Sequence, residues 1–101
     1  MNYEEMSDFE ITKAVASELP IDWYWMDSTV YMDIDHTEAF DPCNNPSDAW
    51  PIIVENGIGV HKQHDQSWFS SWTTGEFDCV DKNPLRAAMI CFLKMKDKET
   101  K

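Results

Sequence analysis

The chain has 101 residues, 43% of them apolar, with five Trp, five Phe and three Tyr, so one domain with one core is all that it can build and acidic disorder is excluded. Its net charge of −11 leaves no basic stripe to displace counterions from phosphates, which argues against direct nucleic-acid binding. No apolar run approaches the ~20 residues of a membrane span.

The first element is a helix over about Ser7 to Glu18. Ser7-Asp8-Phe9-Glu10 fits a capping box, Met6 and Ile11 hold the staple positions, and Ile11, Ala14, Val15 and Leu19 recur at helical spacing before Pro20 ends the run. Asp22 to Met26 and Thr29 to Asp35 alternate as two strands. Val30, Met32 and Ile34 fall on one face, with Tyr31, Asp33 and Asp35 on the other, and Asp27-Ser28 forms the hairpin turn. Phe40 to Pro46 is a loop by composition. It leads to a short helix capped by Ser47 or Asn45 and ended by Gly57, in which Pro51 demands a kink or a first-turn position; a strand through Ile52-Ile53-Val54 is the alternative.

Ile58 to His61 and Ser67 to Trp72 make a second hairpin around a polar tip, and Thr73 to Lys82 is loop-like with at most one short strand. The last helix starts on the Asn83 cap with Pro84 in its first position. Leu85, Ala88, Met89, Phe92 and Leu93 form its apolar stripe, and the tail frays from about Asp97. The expected fold is a single α+β domain over 1–101. Its order is α-β-β-α-β-β-α, with a small antiparallel sheet from two hairpins packed with three helices as a layered sandwich.

Charge and cysteine usage set the functional classes. Residues 1–61 carry thirteen acids against one base, Lys13, whereas the remainder is close to neutral. Such a half favours a basic protein surface as partner; plain solubility is the simpler use of the same charge. Cys43, Cys79 and Cys91 are odd in number and widely spaced, so they read as thiols rather than disulfide partners. With an acidic N-terminus unlike a signal peptide, they place the chain in the cytoplasm of its cell.

No constellation for catalysis stands out. Asp33, Asp35 and His36 match no metal spacing, and His61 and His64 diverge on a strand and its turn. Cys79 follows Asp78, whose charge raises a thiol pKa rather than activating it. No phosphate-binding or nucleophile motif is present. The chain is therefore expected to be no enzyme and to need no cofactor or metal. The five tryptophans are too many for a core of this size to hide entirely, although filling the gap between sheet and helices is their commoner use.

Phe40 to Asn56, Asn83 to Met89 and the opening Met6-Ser7-Asp8-Phe9-Glu10 resemble the NinX family of small proteins from lambdoid phages and prophages, with Lys62 to Asp81 matching least. More distantly, the element order is similar to small phage α/β/α sandwich domains. The resemblance implies an accessory phage protein within the host bacterium and carries no mechanism or catalytic residue. The reading that follows is a binding protein acting on a host or phage protein of basic surface. Its candidate interaction surface comprises Asp22, Tyr31, Asp33, Asp35, Glu38, Asp48, Trp50 and Glu55. The alternatives are a DNA mimic that inhibits a host defence or DNA-processing enzyme, a small metal-dependent enzyme, and a homodimer that consumes the tryptophans.

Overall fold

The computed structural model describes residues 3–19, 22–32, 39–63, 67–72 and 78–99. A 3₁₀ turn at Tyr3–Glu5 leads into α1, Asp8–Ser17. Its capping box is formed: Glu10 N–H donates to Ser7 Oγ at 3.2 Å and Ser7 N–H to Glu10 Oε1 at 3.2 Å. Ile11, Thr12, Val15 and Ala16 are buried, while Ala14 and Leu19 pack at the margin of the core.

Strands β1, Trp23–Met26, and β2, Thr29–Met32, pair through the expected Asp27-Ser28 turn. Both turn residues are left-handed, with φ of 52° and 59°, which is the type I′ geometry that matches strand twist. Neither is glycine, so both carry steric cost. Ser28→Gly is expected to raise stability by about 0.5–1 kcal/mol, less than the relief of strain because glycine also loosens the unfolded chain. A shift of the urea midpoint to higher concentration would show it; a downward shift would show that the turn is unstrained.

A third strand, β3, Ala39–Phe40, adds to β2, so the first sheet has the order β1-β2-β3. Helix α2 spans Pro46–Asn56. Asn45 caps it by accepting from Ser47 N–H at 3.0 Å, and Gly57 ends it at φ 65°. Pro51 lies inside the helix, not in its first turn, and the alternative strand at Ile52–Val54 does not form. The proline is tolerated because Pro51 and Ser47 are both exposed, which leaves the Ser47 carbonyl it deprives of a partner to water.

Strands β4, Ile58–Lys62, and β5, Trp68–Trp72, form the second hairpin, and β6, Asp78–Asp81, joins β5. The expected single sheet of two hairpins is therefore corrected: the described residues form two separate three-stranded antiparallel sheets, β1-β2-β3 and β4-β5-β6. The extra strands are two and four residues long, too short for alternation to declare them.

Helix α3, Pro84–Glu99, begins on the expected Asn83 cap, whose Oδ1 accepts from Leu85 N–H at 2.9 Å. It carries more than a stripe. Every residue from Ala87 to Leu93 is buried, because α3 packs on β4, β5 and β6 and also against α1 and α2. A helix apolar all round belongs in the centre of a core. Here it is the hub that the two other helices and the second sheet share, while α1 packs against β2 of the first sheet. The helix continues past Asp97, whose carboxylate accepts a hydrogen bond from the buried Tyr3 hydroxyl. Burial, then that carboxylate, push the Tyr3 pKa up.

Candidate interaction surface

The outer face of the first sheet follows from its register. Tyr24 pairs with Tyr31 and Met26 with Thr29 on one face, opposite the face on which Val30 and Phe40 are buried. Tyr24 and Tyr31 stack with ring centroids 5.2 Å apart and planes at 19°. Trp25 sits on the α1 side yet is 56% exposed; it meets Phe9 edge-on at 5.9 Å, with Lys13 Nζ 5.5 Å from its ring centroid. Asp22 is exposed just ahead of β1.

Three further candidates lie on α2. Trp50 is 63% exposed and Val54, one turn on, 59%, beside exposed Glu55, while Ala49, Ile52 and Ile53 turn inward. Asp48 has a structural task instead: its carboxylate accepts from Asp41 N–H at 2.9 Å and ties the preceding loop to the helix start. The candidates Asp33, Asp35 and Glu38, and also His36 and His64, lie outside the described residues. The structure thus groups Asp22 and Tyr31 at the first sheet and Asp48, Trp50 and Glu55 on α2.

A polar knot that sequence reasoning did not foresee joins distant stretches. Arg86 donates to Asp8 at 2.6 Å and to Asp81 at 2.9 Å, and its remaining donor reaches the Met6 carbonyl. Its side chain is only 12% exposed. Burial opposes its charge, but the Asp8 and Asp81 hydrogen bonds outweigh that and hold its pKa above the ordinary value. Asn44 Nδ2 donates to Asp8 at 3.3 Å and to Asp41 at 3.2 Å, and Asn83 Nδ2 donates to the Cys43 carbonyl. Lys94 donates to Glu4 at 2.7 Å, which lowers the Glu4 pKa.

Between α1 and the β2–β3 edge lies a half-open cleft of about 210 Å³, with Val30 and Phe40 in its wall and Asp8, Asp41 and Asn44 beside them. Asp8 is already committed to Arg86 and Asn44. The cysteines are buried, with no disulfide. Burial, chiefly, raises the Cys43 and Cys79 pKa values to about 12, so neither is poised as a nucleophile at neutral pH. Exposed His61 leans on Phe69 with centroids 6.5 Å apart. Among the described residues no His, Cys, Asp and Glu side chains gather as a metal site, and no helix is long and apolar enough to cross a membrane.

The family model of bacteriophage P22 NinX matches residues 2–96. The chain belongs to the NinX family. No curated protein and no solved structure matches it. The three stretches that carry the NinX resemblance are the ones that the knot joins. Asp8 comes from the first, Cys43 and Asn44 from the second, and Asn83 and Arg86 from the third. Those stretches hold the fold together, and the exposed aromatics lie on other side chains.

Proposed function

We propose that this NinX-family chain is a phage accessory protein that works without catalysis, binding a basic surface of a host or phage protein inside the host cell. One observation supports this reading. Of the six large apolar side chains exposed among the described residues, five lie in the acidic part: Tyr24, Trp25, Met26, Trp50 and Val54. Apolar anchors set among carboxylates suit a partner that brings cations around an apolar centre.

The test is capture from host lysate by the immobilised chain, at low salt and at about 0.5 M salt, where surface charges are screened. Capture of one basic protein is expected at low salt. It should be lost at high salt and in the Trp50→Ser/Glu55→Lys variant, which changes exposed positions only. No specific capture, or equal capture by the variant, would overturn the reading.

A further inference from the structure

The strand β1 is one edge of the first sheet, and three of its four residues are exposed. In a two-residue hairpin the closing pair, here Met26 and Thr29, exchanges both backbone hydrogen bonds. Alternation then makes Tyr24 and Tyr31 the next bonded pair, and turns the N–H and C=O groups of Trp23 and Trp25 away from β2. No described strand takes them up.

Such an edge is usually blunted by a charge, a proline or a bulge within the strand. Trp23-Tyr24-Trp25-Met26 has none of these. The charges stand at its two ends instead, where Asp22 and Asp27 are exposed, five positions apart.

Those ends decide what fits. Antiparallel pairing of β1 with a second copy would set Asp22 of one chain beside Asp27 of the other, on molecules of charge −11 each. A strand with a cation at each end meets both carboxylates favourably and covers the same backbone groups. Its side chains would meet the Tyr24–Tyr31 stack on one face and Trp25 on the other.

We propose that the free edge of β1 receives an extended segment of the partner by antiparallel strand addition, with a Lys or Arg at each end of the paired stretch. This rests on the reading of the chain as a binder of basic proteins and names where and how such a partner docks.

The probe is a synthetic peptide, Lys-Thr-Val-Thr-Val-Lys, added to the full chain while amide hydrogen exchange is followed by NMR. Binding should slow exchange at the Trp23 and Trp25 amides by about tenfold or more at saturation. The same peptide ending in Glu should bind about tenfold more weakly. Trp25→Pro removes an outward donor, which edge strands tolerate, and should abolish binding, whereas Trp25→Thr should retain it.

Strand addition is overturned by absence of binding, by binding that leaves those amides unprotected, or by equal binding of the Glu-ended peptide. It is also overturned if light scattering finds the chain alone to be a dimer with the Trp25 amide already protected. The two readings fail separately. Lysate capture that survives Trp25→Pro, with no peptide protection, removes strand addition and keeps the broader one, whereas loss of all capture removes the broader one.

Discussion

Arg86→Met is expected to cost about 3 kcal/mol of folding stability, the scale for removing one partner from a largely buried charge cluster. The guanidinium is 12% exposed and bonds two carboxylates and the Met6 carbonyl. Methionine fills part of the volume but leaves Asp81, whose side chain is 20% exposed, facing a low-dielectric site without its cation. Arg86→Lys should recover only part of the loss, since an ammonium cannot span Asp8, Asp81 and a carbonyl in fixed directions. Asp8→Asn should cost less, about 1 kcal/mol, because Asp8 is 44% exposed and water replaces much of its interaction. Urea unfolding of the three variants gives the ranking. A loss below about 1 kcal/mol for Arg86→Met would mean that desolvation of the charges cancels their attraction.

The second large effect is expected at the centre of α3. Phe92→Ala should cost about 3–5 kcal/mol, because a ring that is 1% exposed leaves a cavity that its neighbours only partly fill. Phe92→Leu keeps more of the volume and should cost about 1.5 kcal/mol or less. The contrast is Val54→Ala, a similar truncation on an exposed face of α2, which should stay within about 0.5 kcal/mol. Thermal and urea unfolding of this set would measure how far the core depends on the hub helix. Equal losses at Phe92 and Val54 would contradict the central placement of α3.

The helices were legible because their ends carry local chemistry. Ser7 with Glu10, Asn45 with Gly57, and Asn83 with Pro84 each announce a boundary within a few residues, and each cap forms. The division into two sheets was not legible. Strand β3 is only Ala39 and Phe40, and its membership depends on pairing with Tyr31 and Val30 rather than on any pattern of its own. The all-round burial of α3 did have a signal, the uncharged run Ala87 to Leu93, which a search for one apolar stripe passes over.

For the candidate surface, aromatic content correctly suggested exposed rings, and Trp50 and Trp25 supply them. Charge content misled at Asp48, which serves the loop backbone, because that contact depends on how residues 41–45 fold back. Arg86 was missed for the converse reason. Its Asp8 partner lies 78 positions away, and no local pattern reports such a pairing.

The position of α3 has a consequence for how the chain reaches its fold. The element around which α1, α2 and the second sheet assemble is the last in sequence order among those described. A chain elongating from its N-terminus therefore forms hairpins and helix turns early, but gains nothing to organise them until the segment from Pro84 onward arrives. Folding then closes contacts between distant segments in one cooperative step, which slows it relative to a bundle of local contacts. Fragments that stop short of Pro84 would expose the apolar faces of α1, α2 and the β4–β5 hairpin together, and such fragments are the species prone to aggregate.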